Sequence, residues 1–307
     1  MKQIWMTSLV VVSLMLVGCS NEKVEEVTQT VGIEHDLGST VVEETPISIA
    51  VLEFSFLDAL YRLGVNPVAI ADDNEQSKVL DVTNKELTNY TTVGARKEPS
   101  LETLSLMDLD LIIADTSRHS QVYDDLNKIA PTISLTSNDS TYEQFVETFV
   151  LLAQIVDKEA VAEQILAETE TKLEALKTEL SQVLAGKTVL VVSPKNDKYT
   201  AHTSSSFVGA VLEQSGIQNA IVNEALEVDL SLEQVVELDA DVIIYMRDDL
   251  EGTIYSEWTQ TQLYNQLSAV INDEVYVTSK KEYWTQYRGF ASIDFITAEL
   301  ENWFLSK

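Results

Sequence analysis

Cysteine and basic residues are both scarce in this chain. The only cysteine is Cys19, so no disulfide can form within the chain and the fold depends on its own core. Lysine and arginine together number 20 against 50 acids, which gives a net charge of −30 at pH 7. Because phosphate binding needs clustered Lys and Arg side chains, we expect no nucleic acid partner. The hydrophobic content of 45% over 307 residues is ample for a core, and the length allows two domains.

Motifs for catalysis are also missing. The three histidines, His35, His119 and His202, are far apart in sequence. There is no Gly-x-Ser-x-Gly elbow, Cys-His pairing or His-x-x-x-His spacing. We therefore expect a protein that is not an enzyme and has no cofactor of its own. One alternative from another class stays open, a metal-dependent hydrolase or metal sensor in which His119 and His202 face each other across a cleft.

The N-terminus has the pattern of a secretory signal. Lys2 is followed by an apolar run from Leu9 to Val17, which is too short to span a bilayer comfortably as a permanent helix. The tetrad Leu16-Val17-Gly18-Cys19 resembles the bacterial lipobox, in which the cysteine thiol receives a diacylglycerol and becomes the new N-terminus. We predict a signal peptide at 1–18 and a lipid anchor at Cys19 on the extracytoplasmic face of the cell membrane. An ordinary cleaved signal with an incidental cysteine is the alternative.

The next segment, 19–46, is predicted to be an acidic tether. It holds seven acids, has little apolar periodicity and is punctuated by Gly32, Gly38 and Pro46. This composition is typical of a solvated spacer that lifts a folded body off the membrane.

From Ile47 onward, short apolar strands alternate with amphipathic helices, which predicts mostly parallel sheets with helices on both faces. A repeat indicates two related lobes. The stretch from Ser100-Leu101-Glu102 to Leu111-Ile112-Ile113 recurs 131 positions later, from Ser231-Leu232-Glu233 to Val242-Ile243-Ile244. Each copy has the pattern of a serine-capped helix that leads into a buried strand.

Between the two copies, residues 157–184 lack strand character and have apolar residues at helical spacing. A helix of this length extends about 40 Å. We therefore predict an α/β fold of two Rossmann-like lobes, 47–156 and 185–307, joined by a single long helix at 157–184. Because one helical strut resists bending, closure of the cleft on a ligand should be small.

After Pro46 the chain resembles the helix-linked, iron-siderophore and cobalamin class of ABC-transporter binding proteins, and within it the ferric-citrate binders. The order and spacing of several short stretches carry the resemblance: Leu52 to Leu60, Gly64 to Asp73, Val93 to Arg96, Pro99 to Glu102, Leu111 to Asp115, Arg118-His119, Ile129 to Thr132, and Trp284 with Arg288-Gly289. One departure is Ala95, where similar proteins often carry Thr or Ser, so a hydroxyl is missing beside Arg96.

The resemblance implies the helix-linked periplasmic-binding-protein fold and an extracytoplasmic substrate-binding lipoprotein of an ABC importer. Such a protein would capture an anionic ferric complex and deliver it to the permease. We expect ferric citrate, with the iron carried as a chelate and no protein ligand on the metal. Another anionic ferric siderophore, of the catecholate type, is the alternative. We expect a monomer.

The five arginines are the most informative polar residues: Arg62, Arg96, Arg118, Arg247 and Arg288. All but Arg62 lie in segments that follow strands or turns, where open α/β sheets bind ligands. Guanidinium groups bind carboxylates bidentately, so several of them suit a polyanion. We expect Arg96, Arg118 and Arg288 to bind the ligand, leave Arg247 open, and expect Arg62 to form a surface salt bridge.

Other candidates are less sharply defined. Phe54 and Trp284 are plausible aromatics of the cleft, with core packing as the alternative for each, and Tyr199 and Ser205 could supply hydroxyl donors. Glu102 and Glu233 occupy matching positions in the repeat, one in each lobe. The resemblance implies that these two glutamates dock onto arginines of the permease. Alternatively, they are only acids placed favourably in first helical turns.

Overall fold

The computed structural model describes residues 31–83, 87 and 89–306. The predicted signal peptide, Cys19 and residues 19–30 of the predicted tether lie outside the described residues. Within the part of the chain that is described, no helix combines the length and the apolar character needed to span a bilayer.

The N-terminal lobe is built on a fully parallel sheet of five strands. Its order is β5-β4-β3-β8-β9, with strands β3 (Ile49–Val51), β4 (Ala69–Ile70), β5 (Thr91–Thr92), β8 (Leu111–Asp115) and β9 (Thr132–Leu135). A short antiparallel ribbon, β6 (Gly94–Ala95) and β7 (Glu98–Pro99), follows β5. The helices are α1 (Phe54–Arg62), α2 (Gln76–Thr83), α3 (Leu101–Ser105), α4 (Thr116–His119), α5 (Tyr123–Ile129) and α6 (Tyr142–Ile155). The parallel order confirms the strand–helix alternation predicted for this half.

A β-hairpin precedes this sheet and corrects the predicted tether. Strands β1 (Val31–His35) and β2 (Gly38–Val42) pair in antiparallel fashion, and Ile33 is buried in the core. The hairpin is attached to β9, since Thr40 Oγ1 donates to the carbonyl of Thr132 at 2.8 Å. The solvated spacer predicted for 19–46 is therefore wrong for residues 31–42. The strand pattern is weak in the sequence, because Val31 and Ile33 alternate with other residues in β1, whereas the two valines of β2 are adjacent.

Helix α7 (Glu159–Val183) follows α6 and leads to the second lobe, where the sequence predicted a helix at 157–184. The second sheet has the order β13-β11-β10-β14-β15, with β12 also paired to β10. Its strands are β10 (Thr188–Pro194), β11 (Tyr199–His202), β12 (Gln218–Asn219), β13 (Glu227–Leu230), β14 (Val242–Tyr245) and β15 (Val275–Val277). Strands β12, β10, β14 and β15 are parallel, whereas β11 and β13 form an antiparallel edge. The helices are α8 (Phe207–Gln214), α9 (Leu232–Leu238), α10 (Tyr255–Trp258), a 3₁₀ turn at Tyr264–Gln266, α11 (Ser268–Ile271), α12 (Lys281–Thr285) and α13 (Phe290–Phe304).

The sequence repeat corresponds to a structural repeat. Ser100 caps α3 by accepting from the amide of Thr103, and Ser231 caps α9 in the same way through Gln234. In both lobes an aspartate just before the following strand accepts hydrogen bonds from the start of the neighbouring strand. Asp110 accepts from the amide of Ser48, and Asp241 accepts from the amide of Thr188. The two lobes therefore share the same helix cap and the same strand anchor, which confirms the predicted fold class.

The C-terminal helix contacts both lobes. Helix α13 packs against α1, α2 and α7, and its last residue, Phe304, also contacts Tyr276 of β15. One hydrophobic cluster accordingly contains residues of both sheets, of α7 and of α13. The boundary predicted at residue 185 thus places α13 in one lobe, whereas its packing joins the two.

Candidate ligand-binding site

Polar side chains collect where the parallel strands of the N-terminal lobe end. Glu53 follows β3, Asp73 follows β4, Arg96 follows β5 and Arg118 follows β8. The carboxyl ends of parallel strands lie at one edge of a sheet, and open α/β sheets bind ligands there. The fold therefore brings together two of the three predicted ligand arginines, together with two carboxylates that the sequence analysis gave no role.

Arg96 is held almost entirely by protein carboxylates. Its Nη1 is 2.8 Å from Glu53 Oε1, and its Nη2 is 2.9 Å from Asp73 Oδ2. Its guanidinium carbon lies 4.2 Å from the centre of the Phe54 ring, within the range of a cation–π contact. Although burial acts in the opposite direction, the hydrogen bonds from Arg96 hold the pKa of Asp73 below its usual value. Arg96 is thus largely neutralised before any ligand arrives, which the sequence did not predict.

His119 fixes the backbone of Arg96 rather than binding a metal. Its Nδ1 accepts from the amide of Asp115 at 2.9 Å, and its Nε2 lies 2.6 Å from the carbonyl of Arg96, to which it donates. Burial lowers the pKa of His119, which agrees with a neutral ring that uses both nitrogens. His202, in β11, pairs instead with Glu227 at 3.1 Å. Within residues 31–83, 87 and 89–306, no three His, Cys, Asp or Glu side chains group as they would around a metal ion. The alternative of a metal site at His119 and His202 is therefore not supported.

Arg118 pairs with one carboxylate of the described residues, whereas Arg96 pairs with two. Its Nε donates to Glu53 Oε2 at 2.7 Å, and its Nη2 donates to the amide oxygen of Asn138 at 3.2 Å. Its backbone is fixed because Asp115 caps α4 by accepting from the amide of Arg118. Among the described residues no hydrogen bond uses Nη1 of Arg118, so this side of the guanidinium is available to an anion.

Arg288 is buried without a carboxylate partner among the described residues. Its side chain donates to the carbonyls of Tyr287 and Thr285, at 3.0 and 3.3 Å. Burial holds the pKa of Arg288 below its usual value. The guanidinium lies 5.9 Å from the ring of Phe207 in the second lobe, and its own amide donates to Ser55 Oγ in the first. Arg288 is therefore a buried cation at the junction of the lobes.

One further polar group near Arg288 is unpaired. Arg288 borders a small cavity that is also lined by Ser55, Ser137 and Ser140. The hydroxyl of Ser137 is buried and has no hydrogen-bond partner in the described structure. Since buried polar groups are normally satisfied, this hydroxyl indicates a place that receives a polar atom. Only its position beside Arg288 reveals this, and the sequence carries no signal for it.

Three other predicted contacts are placed elsewhere by the structure. Trp284 is fully buried and donates its Nε1–H to Glu299, and Tyr199 is fully buried in the core of the second lobe against Trp258. Neither offers surface to a ligand in this structure, so both are core residues. Ser205 uses its hydroxyl to donate to the carbonyl of Asn223, which explains the residue as part of a turn.

Two predicted residues lie at the edges of the site. Phe54 is also fully buried, but its ring packs against the guanidinium of Arg96. Arg247 pairs with the exposed Asp249 through two hydrogen bonds, which hold the pKa of that carboxyl below its usual range. Arg247 therefore has a local partner of its own in the second lobe.

Comparison with known proteins agrees with this arrangement. The family model described as periplasmic binding protein matches residues 49–282. The chain belongs to this family. It is 36% identical to the Fe(3+)-citrate-binding protein YfmC of Bacillus subtilis, over 94% of this chain and 92% of that protein. It is 33% identical to the putative ABC transporter substrate-binding lipoprotein YhfQ of the same organism, over 98% and 97%.

A solved structure shows the same fold. SirA of Staphylococcus aureus, complexed with staphyloferrin B, superposes with a TM-score of 0.75 at 26% identity and covers 89% of this chain and 98% of its own. The family consists of substrate-binding transport proteins, so the chain is a binding protein rather than an enzyme, as the missing motifs predicted.

Proposed function

We propose that this chain is the extracytoplasmic substrate-binding protein of an ABC importer and that it captures ferric citrate. The observation that carries the proposal is the buried Arg288, a cation with no carboxylate within ion-pair distance among the described residues. A buried charge is costly unless it is paired, so its retention favours a ligand that supplies the missing negative charge. The similarity to a protein named for Fe(3+)-citrate supports citrate as the carboxylate donor.

The geometry suits a carboxylate ligand in particular. Arg288 and the free side of Arg118 offer guanidinium N–H groups, which bind carboxylates bidentately. The unpaired hydroxyl of Ser137 offers a neutral hydrogen bond beside Arg288. Because Glu53 and Asp73 already neutralise Arg96, this arginine adds little net positive charge to the site. It contributes to binding chiefly through where its guanidinium lies. In this arrangement the iron needs no protein ligand, since its chelator makes the contacts.

Calorimetric titration tests the choice of ligand. We expect heat of binding with ferric citrate and much weaker binding with iron-free citrate, because the chelate holds its carboxylates in fixed positions and so loses less conformational freedom on binding. A ferric catecholate serves as the comparison ligand. Tight binding of the catecholate without binding of ferric citrate would favour the alternative siderophore class, and binding of neither would refute the proposal.

We further propose that the lobes dock onto the permease through Glu102 and Glu233. Both glutamates are exposed, and each lies in the first turn of a serine-capped helix, α3 in one lobe and α9 in the other. Their matching positions would give a two-domain permease one acidic contact from each lobe. The anchor at Cys19 is part of the same proposal, supported by the similarity to a protein named as a lipoprotein.

A further inference from the structure

Glu53 occupies an unusual place for a carboxylate, inside an anion-binding site. It lies directly after β3 and is the N-cap of α1, where its side chain accepts from the amide of Phe54 at 2.9 Å. It is only 2% exposed. Its two oxygens bind two different arginines, Oε1 to Arg96 at 2.8 Å and Oε2 to Arg118 at 2.7 Å.

We propose that Glu53 is a positioning residue, which holds the guanidinium of Arg118 in the orientation that binds the ligand. The inference rests on the proposed function, because it concerns how the arginines of that site are oriented. Glu53 itself does not touch the ligand in this proposal. Its effect on affinity passes through Arg118.

Arg118 depends on Glu53 more than Arg96 does. Arg96 also binds Asp73 through both Nε and Nη2, and it keeps that partner if Glu53 is neutralised. Among the described residues, Glu53 is the only carboxylate within ion-pair distance of Arg118. The side chain of Arg118 is 16% exposed, so without Glu53 its guanidinium can turn toward water.

The orientation matters because the two sides of the guanidinium have different partners. Nε points inward to Glu53, which leaves Nη1 free for an incoming carboxylate. A guanidinium that is fixed in advance loses little conformational entropy when it binds. Removing the charge of Glu53 has two opposite effects on affinity. It frees the guanidinium of Arg118 to move, which weakens binding, and it removes a repulsion from the anionic ligand, which strengthens binding. We expect the loss of order to dominate, because the charge of Glu53 is already balanced by two guanidinium groups within 3 Å.

A double-mutant cycle tests this inference. Glu53→Gln keeps the shape and the capping oxygen but removes the charge, and we expect it to weaken ferric citrate binding by about tenfold. Arg118→Ala should weaken binding by at least as much. If Glu53 acts through Arg118, the double variant should bind within about twofold of Arg118→Ala alone. The matched control is Glu98→Gln, which removes one exposed negative charge from the neighbouring ribbon and should leave affinity unchanged.

The outcomes separate this inference from the proposed function. If Arg118→Ala binds ferric citrate as the parent does, the proposed ligand role of Arg118 fails. If Arg118→Ala is weakened but Glu53→Gln is not, only the positioning role fails. If the losses of binding free energy of the two single variants add up in the double variant, the positioning role is also contradicted, because Glu53 would then act independently of Arg118.

A second measurement needs no ligand and no Glu53 variant. In the unliganded protein, Arg118 Nε–H should exchange with solvent at least about tenfold more slowly than Arg247 Nε–H, because its acceptor is buried. Arg247 is the control, since its acceptor Asp249 is 43% exposed. Nitrogen-15 NMR of the arginine Nε–H groups gives both rates, with the signals assigned from Arg118→Ala and Arg247→Ala. Equal rates would show that Glu53 does not hold Arg118 and would overturn the proposal.

Discussion

Replacing Arg288 by methionine should move stability and affinity in opposite directions. Arg288 is buried, its side chain donates to two carbonyls of the described residues, and burial lowers its pKa. In the ligand-free protein, methionine relieves the cost of burying this charge. The carbonyls of Tyr287 and Thr285 both lose their guanidinium donor, because the single proton of Ser292 Oγ is closer to the carbonyl of Tyr283, at 2.6 Å, than to that of Tyr287, at 2.9 Å.

The expected magnitudes follow from these contacts. Each of the two lost hydrogen bonds costs about 1 kcal/mol, whereas replacing buried charged groups by apolar ones often stabilises by about 1–4 kcal/mol. We therefore expect Arg288→Met to raise the free energy of unfolding, by up to about 2 kcal/mol. In the complex, the same change leaves a carboxylate of the ligand without its partner, which costs about 2–5 kcal/mol. Affinity for ferric citrate should fall by about 30-fold or more.

Urea unfolding and calorimetric titration measure the two quantities on the same samples. Lys128→Ala is the control, because Lys128 is 74% exposed and pairs with the nearby Asp125 on its own helix. It should change neither quantity appreciably. If Arg288→Met lowers the free energy of unfolding, the charge is compensated in the free protein and the reasoning is wrong. If affinity is unchanged, Arg288 is not a ligand residue.

Three further predictions concern other parts of the molecule. Burial raises the pKa of Asp58, which accepts from the amide of Ala291, to about 6 from 3.8, so the folded state holds this proton more tightly than the unfolded state. This proton uptake contributes about 3 kcal/mol to the free energy of unfolding below about pH 4, and the contribution is lost as the pH rises through 6. Urea unfolding should therefore show that the stabilities of the parent and of Asp58→Asn diverge between pH 4 and 6. Stabilities that stay parallel over this range would contradict the assignment. Reversing Glu102 and Glu233 to Arg should abolish uptake of labelled ferric citrate while leaving its affinity unchanged, and equal loss of both would place these residues in the site. Cys19→Ala should abolish acylation, and a variant that still partitions into detergent after signal removal would refute the lipid anchor.

Much of the fold was predictable because its signals are local. Apolar strands, serine caps and the 131-residue repeat are properties of short segments, and they correctly predicted two α/β lobes around α7. The hairpin at Val31–Val42 was missed because its apolar alternation is weak, whereas its attachment to β9 involves residues that are distant in sequence.

The site was predictable only in part, for a related reason. Strand ends predicted where arginines would gather, but the partners of those arginines depend on contacts across the sheet edge. Glu53, 43 residues before Arg96 and 65 before Arg118, gives no sign in the sequence that it joins them. Trp284 was a candidate for the cleft because it precedes Arg288 by four residues, with core packing as the alternative. Tyr199 was a candidate because it follows the first strand of the second lobe. Neither position in the sequence determines whether a ring packs into the core.

Helix α13 makes the first lobe depend on a segment that is distant from it in sequence. Its residues Phe290, Ile293, Ile296, Leu300 and Phe304 belong to the hydrophobic cluster shared by both sheets. The core of the first lobe therefore remains incomplete until residues 290–304 have packed against it. A stop codon that removed only residues 290–307 would expose the apolar surface of α1, α2 and α7, and we expect such a truncated chain to be degraded rather than to retain a folded first lobe.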